Sequence, residues 1–340
     1  MRQVLVTGGA GFIGAHLVSA LLGRGEAVRV IDNFVAGTAA NLALATGVPV
    51  EEVHRALAAR SGPARIGERC QVWAADIRDP AAAAAACAGV EVIFHQAALR
   101  SVPRSLIDPV GTHEVNASGT LALLEAARAA GVRRFVFASS SSVYGETDAP
   151  QHEGQVPQPK SPYAASKLAA EGYGAAYSRA FGASTVGLRY FNVFGPWQDP
   201  ASEYAAVIPK FIRMTMRGEP LPVHGDGLQS RDFTYVDNVV DANLLAADAD
   251  AGEAGGKVVN IGAGERHTLL DLIDQVGRLL GRVPQIVHEP PRAGDMRHTQ
   301  ADISLAGRLI GYAPRVDFAA GLRRTIEAVR EAEGAVVDRA

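Results

Sequence analysis

Tyr163 and Lys167 stand four residues apart, a spacing that puts both side chains on one face of a helix. A free tyrosine titrates near pH ~10, so it is a poor base at neutral pH. Bringing it to about 7 takes roughly 4 kcal/mol. One cation at about 4 Å supplies that order at an effective dielectric of about 20. A tyrosine with an ammonium beside it is therefore suited to take a proton from a hydroxyl. Most such pairs are surface packing. This one lies downstream of Ser139-Ser140-Ser141-Ser142, which leave the apolar run Phe135-Val136-Phe137.

A second group lies at the N-terminus, in Val4-Leu5-Val6-Thr7-Gly8-Gly9-Ala10-Gly11-Phe12-Ile13-Gly14. The apolar residues read as a short buried strand. Gly8, Gly11 and Gly14 then open a helix whose apolar face is Ile13, Leu17, Ala20 and Leu21. Glycines there permit a tight turn, let backbone approach a pyrophosphate and let helix and strand pack closely. The helix N-terminus adds free N–H groups and partial positive charge. Val28-Arg29-Val30-Ile31 reads as the next strand. It ends in Asp32, 18 residues after Gly14, where a dinucleotide site places a carboxylate for ribose hydroxyls. Asp32 repels a 2′-phosphate, so NAD is expected rather than NADP. Its positive nicotinamide ring would join Lys167 in lowering the Tyr163 pKa.

These residues need a scaffold, and the chain has the length for one. Its 340 residues can bury a large core. Apolar residues make up 48% and charged residues 20%, with a net charge of −3. That balance gives no electrostatic footprint for nucleic acid or a membrane surface. No apolar run approaches the ~18 residues of a membrane span, and no leader peptide is read at the start. Cys70 and Cys87 are the two cysteines, too few for a disulfide framework and outside any zinc spacing. No metal is expected, and the compartment is expected to be the cytoplasm.

In order along the chain, 37–69 reads as a surface excursion with one helix over 51–59, broken at Ser61-Gly62-Pro63. Gln71-Val72-Trp73-Ala74 is a strand. Asp79 caps an alanine-rich helix with Pro80 in its first turn. Val92-Ile93-Phe94 is a central strand followed by the small residues Ala97 and Ala98. A single helix is expected over 112–130, with another beginning at Ser161-Pro162-Tyr163. Val186 to Arg189 forms a strand. Alternating strands and helices predict a Rossmann-like, doubly wound parallel sheet with its crevice at the strands' carboxyl ends. From about residue 194 proline and glycine punctuate shorter elements; Val258-Val259-Asn260-Ile261 returns as a strand, and 269–280 as an amphipathic helix. The expected division is 1–193, receiving part of 232–262, and a smaller α/β substrate domain over 194–340.

Taken together, the glycine-rich turn, the serine cluster and Tyr163-Ala164-Ala165-Ser166-Lys167 resemble an extended short-chain dehydrogenase/reductase. Further motifs narrow the resemblance: His95-Gln96-Ala97-Ala98, Ser101-Val102-Pro103-Arg104-Ser105, Leu188-Arg189-Tyr190-Phe191-Asn192-Val193-Phe194-Gly195, Gly225-Asp226-Gly227, Arg231-Asp232-Phe233 and Arg292-Ala293-Gly294-Asp295-Met296-Arg297-His298. They resemble the UDP-hexose 4-epimerases, above all the bacterial UDP-N-acetylglucosamine 4-epimerases, over nearly the whole chain. The resemblance implies that Tyr163 takes the proton of the sugar 4-hydroxyl, Ser140 bridges that hydroxyl and the phenol, and Lys167 holds the nicotinamide ribose. Hydride would leave sugar C4 for tightly bound NAD and return to the other face of a 4-keto sugar. Gly8, Gly11, Phe12, Ile13, Gly14, Asp32, Asn33, Asp76, Ile77, Gln96, Ala97, Ala98, Asn116, Tyr190 and Val193 would line the cofactor with Tyr163 and Lys167. Ser101, Ser140, Ser141, Ser142, Asn192, Ala206, Val207, Phe211, His224, Arg231, Arg292, Asp295 and Thr299 would meet the UDP-sugar. Arginine suits the diphosphate because its fork donates two bonds. A homodimer is implied, built from the helix over 112–130 and the one following Tyr163.

Arg100 departs from the pattern, since the nearest N-acetyl-sugar relatives usually carry glycine there. Sugar-nucleotide 4,6-dehydratases and a UDP-glucuronate decarboxylase share the fold but place an acid before Val-Tyr-Gly, where this chain has Ser140-Ser141-Ser142. UDP-glucuronate 4-epimerases typically have threonine for Asn192 and an arginine seven residues on, where this chain has Asp199, an acid that would oppose a sugar carboxylate. A regulatory NAD-binding protein without catalysis would be expected to have lost Tyr163 or Lys167. Thr299, smaller than the tyrosine of epimerases restricted to plain hexoses, would leave room for a 2-acetamido group.

Overall fold

In the computed structural model, residues 1–59, 62–147, 150–198, 206–290 and 296–337 are described. The N-terminal part runs β1 (Gln3–Thr7), α1 (Phe12–Gly23), β2 (Ala27–Asp32), α2 (Ala39–Thr46), α3 (Val50–Ala58), β3 (Ala64–Ile66), β4 (Cys70–Ala74), α4 (Pro80–Cys87) and β5 (Val92–His95). There follow α5 (Val102–Ile107), α6 (Pro109–His113), α7 (Gly119–Ala129), β6 (Arg134–Ser140), α8 (Pro162–Phe181), β7 (Thr185–Tyr190) and β8 (Val193–Phe194). Then come α9 (Val207–Arg217), β9 (Leu221–His224), β10 (Ser230–Arg231), β11 (Thr234–Tyr235), α10 (Val236–Asp248), α11 (Ala251–Ala254) and β12 (Lys257–Ile261). β13 (His267–Thr268), α12 (Leu269–Leu280), β14 (Ile286–Glu289), α13 (Ser304–Ile310) and α14 (Phe318–Val337) complete the chain.

Eight strands form one sheet in the order β12-β7-β6-β5-β1-β2-β4-β3. Every pairing is parallel except β3 with β4. Strands β5 and β7 are buried along their whole length, which is why Val92-Ile93-Phe94 reads as a continuous apolar run rather than an alternating one. Helices cover both faces. Leu17, Val18 and Leu21 of α1 pack with Leu42 of α2 and Val239 and Ala246 of α10 on one side. Ala83 and Ala86 of α4, Leu123 and Leu124 of α7 and Ala170 and Tyr177 of α8 cover the other. A separate core of Phe194, Phe211, Ile212, Leu272, Phe318 and Leu322 lies beyond the sheet. The chain order reverses at β1, flanked by β2 and β5, and such a switch point opens a ligand crevice.

Two expectations need correction. The 37–69 segment is less of an excursion than its polarity suggests: α2 and α3 send Leu42 and Val53 into the main core, and β3 pairs with β4. The cue was present, since Thr38 caps α2 by accepting from Asn41 N and Gly47 ends it in the left-handed region. The expected helix over 112–130 is interrupted. Residues 114–118 form one π turn between α6 and α7, which carries Asn116 into contact with the β5 loop. Insertions of this kind recur at functional sites.

Candidate active site

The carboxyl ends of β1, β2, β5, β6 and β7 open into a single long cleft of about 1160 Å³. Gly8, Gly11, Phe12, Ile13 and Gly14 form its floor. The turn after β1 demands glycine. Gly8 has φ +67° and its missing Cβ would lie 2.7 Å from Ala97 N; at Gly14 a Cβ would meet Gly8 O at 2.1 Å. This leaves a bare backbone cradle leading into the N-terminus of α1, whose cap carries no side-chain hydrogen bond. Asp32 ends β2 within the cleft. Its carboxylate accepts from Ala10 N at 2.9 Å and Phe34 N at 2.8 Å, so each oxygen keeps a lone pair for another donor. Burial pushes the Asp32 carboxyl above its ordinary range, and those two backbone bonds oppose the shift. A dinucleotide with a free ribose diol fits this donor set.

Asn33, Asp76 and Ile77 line the same end. Asn33 Nδ2 donates to Asp76 at 2.9 Å, and the Arg78 guanidinium holds the Asp76 carboxyl down at about 2. Gln96, Ala97 and Ala98 follow β5, with Tyr190 and Val193 opposite. Gln96, Tyr190 and Asn243 close a ring of hydrogen bonds: Gln96 Nε2 to Asn243 Oδ1 at 3.0 Å, Asn243 Nδ2 to the Tyr190 oxygen at 2.8 Å, and Tyr190 OH to Gln96 Oε1 at 3.1 Å. Asn243 comes from α10, far along the chain, and no sequence motif pointed to it.

The reactive pair sits at the start of α8. Ser161 caps the helix by accepting from Ala164 N at 3.2 Å, and Pro162 occupies its first turn. Tyr163 and Lys167 both face the cleft with Ser140, Ser141 and Ser142. Ser140 Oγ donates to Ser142 Oγ at 3.0 Å and accepts from Ser142 N at 3.2 Å. Burial raises the phenol pKa, while Ser140 and then the positive charge of Arg100 pull it down. Lys167 Nζ donates to Ala138 O at 2.9 Å. Burial lowers its pKa to about 8, against the support of Glu171. Asn192 and Arg100 line the cleft as well.

Several expected residues stand back from the cleft wall. Asn116 is buried and clamps the loop after β5, accepting from Leu99 N at 2.8 Å and donating to Leu99 O at 3.0 Å. Ser101, with φ +102°, caps α5 through Arg104 N. Thr299 is 2% exposed, and its hydroxyl accepts from Asn192 Nδ2 at 3.2 Å. It therefore meets the cleft through Asn192. Phe211 is core, with Val207 packed against that core, and Ala206 caps α9. His224 hydrogen-bonds Pro290 O. Arg231 Nη1 donates to Ser230 O at 2.9 Å and to Arg297 O at 3.4 Å. Arg292 and Asp295 lie outside the described residues.

Asp232, part of the Arg231-Asp232-Phe233 motif, has a role that the motif did not name. Its buried carboxylate accepts from Ala263 N, Gly264 N and Ala301 N at 2.7, 3.0 and 3.1 Å, tying down the segment that follows Thr299. Arg213, Arg217 and Glu333 add a far wall from α9 and α14, where Glu333 lies 3.7 Å from Arg213 and 3.5 Å from Arg217.

A model described as the NAD dependent epimerase/dehydratase family matches residues 4–262. The chain belongs to that family. A UDP-glucose 4-epimerase of Mycolicibacterium smegmatis is 37% identical over 96% of this chain and 98% of its own length. Among solved structures, a UDP-N-acetylglucosamine 4-epimerase from Methanobrevibacter ruminantium, in complex with UDP-N-acetylmuramic acid, is 35% identical with a TM-score of 0.87, covering 97% of this chain and 99% of that one. A UDP-glucuronic acid 4-epimerase from Bacillus cereus, in complex with UDP-glucuronic acid and NAD, is 32% identical with a TM-score of 0.84, covering 97% and 100%. These three differ in the sugar, so the family, the fold and the NAD dependence follow from them and the sugar does not.

Proposed function

We propose that this chain is an NAD-dependent UDP-hexose 4-epimerase that interconverts UDP-GlcNAc and UDP-GalNAc and accepts UDP-Glc and UDP-Gal as well. The observation that carries the reaction type is the convergence of Tyr163, Ser140 and Lys167 beside the glycine cradle in one cleft. Tyr163 takes the proton of the sugar 4-hydroxyl, with Ser140 beside it on the cleft wall to bridge hydroxyl and phenol. Lys167, anchored on Ala138 O, keeps a positive charge at that end of the site. Gly8, Gly11 and Gly14 would hold the NAD pyrophosphate and Asp32 a ribose. When bound, NAD supplies the acceptor and then the donor of the C4 hydride, together with the positive charge of its ring. Because the redox cycle closes on one sugar, the cofactor gains nothing by leaving.

The acetylated sugar is favoured by Thr299. A tyrosine there would have to place its ring against Asn192, the residue through which Thr299 reaches the cleft. The 2-acetamido group needs both space and a partner, since a buried unpaired amide costs about 1–3 kcal/mol; the Asn192 amide supplies one. Thr299→Tyr is expected to lower turnover of UDP-GlcNAc relative to UDP-Glc at least about tenfold, a discrimination of the size pocket changes give. Separating the epimers after incubation with each sugar reads this directly. Equal loss on both pairs would refute the gate.

One observation favours a second reading, UDP-glucuronate 4-epimerase. Arg100 lines the cleft beside Tyr163 and has no hydrogen bond or ion pair among the described residues, so a sugar carboxylate would find a cation there. UDP-glucuronate belongs in the same assay, and exclusive turnover of it would replace the acetylated reading.

A further inference from the structure

Tyr163, Lys167 and Glu171 follow one another at four-residue intervals along α8, one above the other on the face turned to the sheet. The strand beneath answers them with three consecutive residues. Ser140 lines the cleft with Tyr163, Ala138 O accepts from Lys167 Nζ, and Ser139 Oγ donates to Glu171 Oε1 at 2.5 Å. Arg189, the register partner of Ser139 on β7, grips the same carboxylate with two bonds. Nε reaches Oε1 at 2.9 Å and Nη2 reaches Oε2 at 2.7 Å. Glu171 and Arg189 are 6% and 5% exposed, and the guanidinium lies 4.7 Å from the centre of the Tyr144 ring. A buried ion pair of this kind is weak evidence for stability, because desolvation offsets much of the attraction. Its position behind the reactive pair calls for another role.

We propose that Glu171 is a positioning residue: held by Ser139 and Arg189, it fixes the rotation of α8 on β6 and β7 and supplies the negative charge behind the Lys167 ammonium. The role rests on the reading of Tyr163 and Lys167 given above. The charged and titratable groups around Lys167 are few. Tyr163 and Glu171 share its helix, His95 faces it from β5, and Arg189 stands behind Glu171. Arg100 faces Tyr163 from the loop after β5. His95 is neutral, its pKa pushed to about 3 by burial and then by Lys167 itself. Glu171 is thus the one carboxylate set against Lys167 among the described residues.

The test is the pH dependence of kcat in the NAD-loaded protein. In the parent, turnover should fall on the alkaline side as Lys167 loses its proton at about 8. Replacing Glu171 by Gln keeps the shape and removes the charge, so the ammonium is less favoured and the alkaline limb should move down by about one pH unit. Glu171→Asp, which keeps the charge, should restore most of the limb. Should Glu171→Gln not fold because Arg189 is left uncompensated, Glu171→Gln with Arg189→Met removes both charges, and a paired removal of this kind is tolerated. The limb should again fall. A folded variant of either kind, with full NAD content and a limb within about 0.3 unit of the parent, would reduce Glu171 to packing. A parent without 4-epimerase turnover would instead overturn the proposed function.

Discussion

Tyr163 is asked to lose a proton from a position where burial alone pushes its pKa up. Two groups oppose this, Ser140 first and then Arg100 by its charge. Tyr163→Phe removes only the oxygen. The variant should fold and carry NAD while losing at least about 10²-fold in kcat, the usual size of a general-base deletion. Activity within threefold of the parent would end the role, measured alongside the variant's NAD content. The pair was legible in the sequence because both partners sit on one helix at a fixed spacing. The roles of Glu171, Asp232 and Asn243 were not, because their partners lie elsewhere in the chain. Arg189, Ala301 and Gln96 are 18, 69 and 147 residues away respectively.

At the scale of elements, the strand-turn-helix unit of β1 and α1 declared itself, since Gly8 and Gly14 answer to backbone contacts under 3 Å. The π turn at 114–118 did not. Its backbone departs from the α-helix to serve Asn116, and nothing in local propensity marks that. Helix α8 turns a face of small residues outward, Ala165, Gly172, Ala176 and Ala180, which permits close approach by another helix. Beside it α5 and α6 expose Leu106, Ile107 and Val110, each at least 64% accessible. A contiguous apolar exposure of this kind marks an interface more often than a bare surface. We predict a homodimer through α7 and α8. Light scattering at micromolar concentration should give about twice the 35.6 kDa chain mass, and Gly172→Arg should shift the particle toward the monomer. A parent that scatters as a monomer would refute the pairing.

For the whole molecule, the parallel sheet was readable because its central strands carry short apolar runs, Val4-Leu5-Val6, Val92-Ile93-Phe94 and Phe135-Val136-Phe137, that alternate with helices. The final third was less so. β8, β10, β11 and β13 are two residues long, too short to show a period. Their contacts are set by the motif loops they connect rather than by hydrophobic pattern. Among the described residues no helix is long and apolar enough to cross a membrane, and no group of metal ligands is assembled. The proposed chemistry rests on the cleft at the sheet's switch point and on one central claim: inversion at sugar C4 through oxidation and return of the same hydride. The direct measurement uses UDP-GlcNAc carrying deuterium at C4, incubated with the purified protein and no added cofactor, with the products separated and the label located by NMR and mass spectrometry. The account predicts UDP-GalNAc that keeps the deuterium at C4, with no incorporation from solvent. Inverted product carrying a solvent hydrogen at C4, or a product that has lost water, would contradict it.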